Sequence, residues 1–147
     1  MFYNILVTLD GSELAQTVLP YVEEVANRFS CRKIILIRVV PPVRYFVEGS
    51  FYEMGDTREK LEEDAQTYLQ KIAAGLDIKG LDIETEVRYG EVAGEIIGCA
   101  HDRGADLLAI STHGYSGIKR WVFGSVAERV LRHITIPILL IRPEEMK

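Results

Sequence analysis

Apolar positions along this chain recur with two different periods, and the changes of period mark out the elements. Tyr3 to Leu9 is a short, mostly apolar run, the pattern of a strand covered on both faces. Asp10-Gly11-Ser12 breaks the run, and Ser12 is suited to cap a helix. Leu14, Val18, Tyr21, Val22, Val25 and Phe29 then follow helical spacing, which predicts an amphipathic helix from about 13 to 29. Pro20 lies inside that pattern and predicts a kink or a tighter first segment. Lys33 to Val40 is rich in β-branched residues and stops at Pro41-Pro42, so it reads as a second strand. Residues 41 to about 55 form a long connection carrying Tyr45, Phe46, Phe51 and Tyr52. Connections of that length tend to be lids or binding loops.

The second half repeats the scheme. Asp56-Thr-Arg-Glu59 fits a capping box, and Leu61, Ala65, Tyr68, Leu69, Ile72 and Leu76 mark a helix to about 77. Leu81 to Arg88 alternates, with Leu81, Ile83, Thr85 and Val87 against Asp82, Glu84, Glu86 and Arg88, the signature of a half-exposed strand at a sheet edge. Val92, Ile96, Ile97 and Ala100 give a shorter helix ending near Arg103, with Gly104 as its stop. Asp106 to Ile110 is an apolar strand, Ser125-Val-Ala-Glu128 is a capping box opening a helix to about Arg132, and Pro137 to Ile141 is a last strand.

The resulting order, β-α-β-α-β-α-β-α-β, predicts an α/β fold in one domain over residues 1–147: a doubly wound, five-stranded parallel sheet with helices on both faces. Strand character points to the order 3-2-1-4-5, with the alternating third strand at an edge and the apolar first and fourth strands central. Ligands of such sheets bind beyond the carboxyl ends of the strands where the winding reverses. That point lies between the first and fourth strands, which sets Asp10 beside the 111–125 loop.

Composition narrows the function. Of the 147 residues, 48% are hydrophobic and 27% charged, ordinary for a soluble globular protein, and the net charge of −5 argues against a nucleic-acid surface. Between Ser111 and His133 the balance reverses, with Lys119, Arg120, Arg129 and Arg132 against Glu128 alone, which suits one small phosphorylated ligand. Cys31 and Cys99 lack CxxC spacing and read as buried residues of a reducing compartment. With no secretory pattern at Met1-Phe-Tyr-Asn4 and no membrane-length apolar run, a cytoplasmic location is expected.

The 111–125 loop carries Gly114, Gly117 and Gly124 and leads into a helix N-terminus, where unpaired N–H groups and the helix dipole attract anions. Thr112, Ser116 and Ser125 supply hydroxyls, Ser125 being equally suited to a plain helix cap. Asp10 suits a ribose hydroxyl or adenine amino group, or else a turn before the first helix. His113 lies amid the loop without an evident carboxylate to orient it; His101 and His133, near helix ends, read as surface or dipole-complementing residues. There is no GxxxxGK[ST] loop, no GxGxxG after the first strand, and no Ser-His-Asp, paired-carboxylate or metal-ligand cluster.

Over essentially its whole length the chain resembles the universal stress protein family. ATP-binding members carry G-x2-G-x9-G-[ST] after the fourth strand; here stand Ser111-x2-Gly114-x9-Gly124-Ser125, followed by Val-Ala-Glu-Arg-Val-Leu-Arg-His. The opening Ile5-Leu-Val-Thr-Leu-Asp10-Gly-Ser12 is also similar to the family's first strand and acidic residue. The resemblance implies an adenine nucleotide alpha hydrolase-like fold and ATP, with Mg²⁺ or Mn²⁺, as ligand. It implies that Asp10 contacts the adenosine moiety, that Val39 offers backbone to adenine, and that Gly114, Gly124, Ser125 and Val126 hold the phosphates, with Thr112 and His113 nearby. Ser111 departs from the pattern by replacing the first glycine; its Cβ obstructs close phosphate approach or its hydroxyl donates instead. A stress-response role with at most slow ATP hydrolysis follows. The alternative is a nucleotide-free dimeric scaffold that engages protein partners through the 41–55 loop. Ile136 to Ile141 forms an exposed apolar edge, which points to a homodimer.

Overall fold

The computed structural model describes residues 2–42, 44–47, 50–53, 55–112 and 124–143, with 44–47, 50–53 and 55–57 described by their backbone. Five strands form one parallel sheet: β1 (Asn4–Thr8), β2 (Lys33–Val40), β5 (Asp82–Tyr89), β6 (Leu107–Ser111) and β7 (Ile138–Ile141). Their order is β5-β2-β1-β6-β7, the expected 3-2-1-4-5. Four α-helices connect them: α1 (Leu19–Arg28), α2 (Gly55–Gly75), α3 (Val92–Asp102) and α4 (Ser125–His133).

The apolar strands are apolar because both faces are covered. Ile5, Val7, Ile34 and Leu36 pack on one face with Val18, Val22 and Leu69, on the side of α1 and α2. Leu6, Ile35, Ile37 and Leu108 pack on the other with Ile96, Cys99 and Val130, on the side of α3 and α4. Burying each such side chain contributes about 1.5–3 kcal/mol. Strand β5 is bonded only to β2, and its residues from Ile83 to Tyr89 are all half-buried. Its alternation has a specific cause. Ile83 and Val87 join the α1/α2 core, and Gln66 of α2 donates to Thr85 at 2.9 Å. The charged face instead forms ion pairs: Lys33 with Glu84 at 2.8 Å, Arg88 with Asp102 at 3.0 Å, and Arg103 with both Glu84 and Glu86.

Helix α3 ends as its glycine predicts. Gly104 has φ +60°, its N–H donates to the His101 carbonyl, and the Ala105 N–H reaches back to Ala100 at 2.9 Å. The helix expected over 13–29 has the tighter first segment that Pro20 predicts, a 3₁₀ turn at Ala15–Val18, and Pro20 then sits in the first turn of α1, where its missing N–H costs nothing. Three other expectations need correction. Ser12 is not the residue flanking that turn, but its Oγ still accepts the Ala15 N–H at 3.1 Å. The 41–55 connection contains an antiparallel hairpin, β3 (Arg44–Val47) and β4 (Ser50–Glu53), in which Tyr45 pairs with Tyr52 and Phe46 with Phe51. Helix α2 begins at Gly55, so Asp56 lies inside it rather than before it.

Cys31 and Cys99 are buried, as expected, but not apolar in behaviour. Cys31 Sγ donates to the backbone carbonyl of Lys33 at 3.3 Å, and Cys99 Sγ donates to Glu86 Oε2 at 2.5 Å. Burial, reinforced by the Glu86 carboxylate, pushes the Cys99 thiol up to about 12.

Candidate functional site

The site begins where the central strand stops. β1 ends at Thr8, and the Leu9 N–H closes its ladder on the Ile37 carbonyl at 3.0 Å. Backbone groups alternate sides along a strand. The Ile37 carbonyl faces β1, whereas the Val40 carbonyl faces the other way to accept Gly90 N–H. Val39 therefore turns its N–H and C=O toward the space vacated by β1. The same parity holds on the far side. Leu108 and Thr112 donate to the carbonyls of Pro137 and Ile141 on β7, so Ser111 turns its backbone groups toward β1. Two strand ends thus face each other across a gap, each with a donor and an acceptor.

A cavity of about 660 Å³ occupies that gap. Such a volume is typical of small-molecule sites. Thr8, Leu9 and Asp10 line it from β1, Ile37 to Pro41 from β2, Ile110 and Ser111 from β6, and Gly124 to Ala127 from the start of α4. Val92 and Ile96 of α3 and Leu61 of α2 complete an apolar wall.

Asp10 is exposed, and its Oδ1 accepts both the Ser12 N–H at 2.8 Å and the Ser12 hydroxyl at 2.5 Å. The turn role is real, and it fixes the carboxylate on the cavity wall. Val39 is half-buried on the neighbouring strand.

The capping box at Ser125 does not form. Gly124 is the N-cap, with φ −53° and ψ 146°, and its carbonyl accepts the Glu128 N–H at 3.0 Å. Ser125 is the first helical residue and is exposed, and among the described residues no side-chain cap closes this end. The physical reason is the one-residue shift: an N-cap needs extended backbone, and Gly124, not Ser125, has it. The N–H groups of the first turn and the Ser125 hydroxyl therefore remain for something other than a cap.

Ser111 and Thr112 are buried at 9% and 3% exposure, and Ser111 lines the cavity. Thr112 Oγ1 is a buried polar atom with no hydrogen-bond partner among the described residues, the kind of atom that calls for a ligand or water. His113, Gly114, Ser116, Gly117, Lys119 and Arg120 lie outside the described residues. Asp10, Val39, Ser111, Gly124, Ser125 and Val126 are brought onto one cavity; Thr112 adjoins it in sequence but is not on its lining. Sequence reasoning missed Arg38, Leu61, Val92 and Ile96 as lining residues. Arg38 carried a readable signal, a charge within a strand otherwise apolar from Ile34 to Val40. His101 and His133 are exposed in the last turns of α3 and α4, away from the cavity lining.

Comparison with known proteins bears on this geometry. The sequence pattern of the universal stress protein family matches residues 1–142. A universal stress protein of Methanocaldococcus jannaschii is 31% identical over 144 residues, covering 97% of this chain and 83% of its own. A universal stress protein crystallised in complex with cAMP superposes with a TM-score of 0.67 at 21% identity, covering 95% of this chain and 97% of the other. A universal stress protein family protein from Arabidopsis thaliana, solved with AMP bound, has a TM-score of 0.69 at 16% identity and coverages of 97% and 93%. These two structures share the fold described above.

Proposed function

The chain belongs to the universal stress protein family, and from that premise we propose that it binds an adenine nucleotide, ATP in particular, as a cytoplasmic regulator in the stress response. The observation that carries this reading is the cavity of about 660 Å³ at the point where the winding of the sheet reverses, with the N-terminus of α4 on its wall. Adenine lies against Val92 and Ile96 with its edge on the backbone of Val39. Asp10 accepts from a ribose hydroxyl. The first-turn N–H groups of α4 around Ser125 and Val126, with Gly114 and Gly124, take the phosphates. Ser111, on the lining at the end of β6, offers its hydroxyl beside them. Similar proteins solved with cAMP and AMP support an adenine ligand.

Among the described residues no group of three or more His, Cys, Asp or Glu is arranged to hold a metal ion. A Mg²⁺ or Mn²⁺ ion would arrive on the phosphates of the nucleotide, as Mg²⁺ commonly does. Its chemistry there is charge neutralisation, with hydrolysis slow at most.

The test is to purify the protein from cells, denature it and assay the supernatant for nucleotide, then reload the refolded chain with ATP. Release or uptake of adenine nucleotide in proportion to protein supports the reading. Neither release nor uptake overturns it and leaves the nucleotide-free scaffold acting through the 41–55 segment.

A further inference from the structure

Arg38 lines the cavity from β2, half-buried in a wall that is otherwise mostly apolar on that strand. Burying a guanidinium there carries a desolvation cost that a structural role would repay with a carboxylate. Arg88 and Arg103 have such partners, whereas Arg38 has none among the described residues. Its fixed neighbours are of another kind. Its guanidinium carbon lies 5.0 Å from the centre of the Tyr68 ring in α2, within range of a cation–π contact. Tyr68 is itself held, since Gln16 Nε2 donates to its hydroxyl oxygen at 3.3 Å. On another side stands Gly11. A Cβ at that position would be 2.8 Å from Nη2, 2.9 Å from Cζ and 3.1 Å from Nη1 of Arg38. Distances so nearly equal place the flat face of the guanidinium over Gly11. An aromatic ring and a glycine thus pack the group, and its hydrogen-bonding power lies in its N–H edges, a fork matched to phosphate.

The position of that fork matters. Arg38 stands with Asp10 on the β1–β2 side of the cavity, while the N-terminus of α4 follows β6 on the other. Asp10 Oδ1 is already occupied by Ser12. The cavity therefore has two separate receptors for anions, and a nucleotide phosphorylated only at the 5′ position fills one of them. Resting on the nucleotide reading above, we infer that Arg38 takes a second phosphate on the ribose, so that the ligand class favoured is an adenine nucleotide phosphorylated at the 2′ or 3′ hydroxyl as well as at 5′.

The experiment is a calorimetric titration of the whole chain and of Arg38→Gln with AMP, adenosine 3′,5′-bisphosphate and adenosine 2′,5′-bisphosphate. One bisphosphate should bind the native chain tighter than AMP by a factor on the order of ten, as one charged hydrogen-bond pair provides. In Arg38→Gln that preference should vanish while affinity for AMP is kept; the arm that binds tighter identifies which hydroxyl bears the phosphate. If Arg38→Gln fails to fold, Arg38→Lys gives the same comparison, with the preference reduced because the fork is lost. AMP binding with no preference for either bisphosphate, or a preference that survives these substitutions, overturns the inference and leaves the proposed function standing. Binding of none of the three overturns the inference, and together with no uptake of ATP in the assay above it overturns the proposed function as well.

Discussion

Gly11 holds φ at +89° with the Arg38 guanidinium against it, so two independent constraints meet at one residue. An alanine there must adopt a left-handed backbone, which costs roughly 1–2 kcal/mol, and must also push the end of Arg38 aside. Gly11→Ala should lower stability by about that amount in urea unfolding; an unchanged midpoint would show that the turn relaxes. Cys99 makes a prediction of opposite character. In the unfolded chain its thiol ionises near its ordinary value of 9.0, whereas burial and Glu86 raise it to about 12 in the fold. The protonated thiol therefore contributes its full stability below pH 9 and loses it as pH rises toward the folded value. Urea midpoints should fall as pH is raised through 9, and fall less in Cys99→Ala. Equal slopes for the two proteins would contradict the account.

At the scale of elements, the N-terminus of α4 is the proposed phosphate half of the site. Because Gly124 has φ −53° and ψ 146°, a conformation open to any L-residue, Gly124→Leu should fold with an unchanged circular dichroism spectrum. Its side chain enters the cavity lining, so nucleotide binding should be lost. Binding that survives would remove α4 from the site. This helix also shows where sequence patterns stop being legible. Ser125-x-x-Glu128 has the composition of a capping box, yet the extended residue is Gly124, and composition does not report which residue bears the extended dihedrals. The hairpin of β3 and β4 was hidden for a related reason, since Arg44–Val47 and Ser50–Glu53 are too short for a period to register. By contrast, the five strands of the parallel sheet and their order followed from runs of apolar residues between helical segments. Ile34 to Ile37 are buried on both faces, and the alternation of Ile83 to Arg88 marked the edge. Asp10 and Ser125 were legible on the cavity wall because strand ends and helix starts are placed by topology, whereas Val39 came only from the family resemblance. Arg38 showed in the sequence only as a charge in an apolar strand, because its packing depends on Tyr68 and Gly11, residues distant in sequence that only the folded sheet brings together.

For the whole molecule, β7 is the exposed consequence of the fold. Among the described residues it pairs with β6 alone, and the carbonyls of Pro137 and Ile141 face β6, so Ile138 and Leu140 turn their N–H and C=O groups to the open edge. An apolar edge of that kind invites a second copy. We propose a homodimer through Ile136 to Ile141, read by light scattering as twice the chain mass. Leu140→Pro removes an edge-facing donor without touching the β6 ladder, and should yield a monomer that keeps its secondary structure. A monomeric native chain at micromolar concentration would contradict the proposal. Among the described residues no helix is long and apolar enough to cross a membrane. The central claim is the nucleotide, and isothermal titration of the native chain with ATP and Mg²⁺ tests it most directly. The account predicts saturable heat at one nucleotide per chain, with a Kd well below about 1 mM, and its loss in Gly124→Leu. A native chain that gives no saturable heat up to millimolar ATP would contradict it.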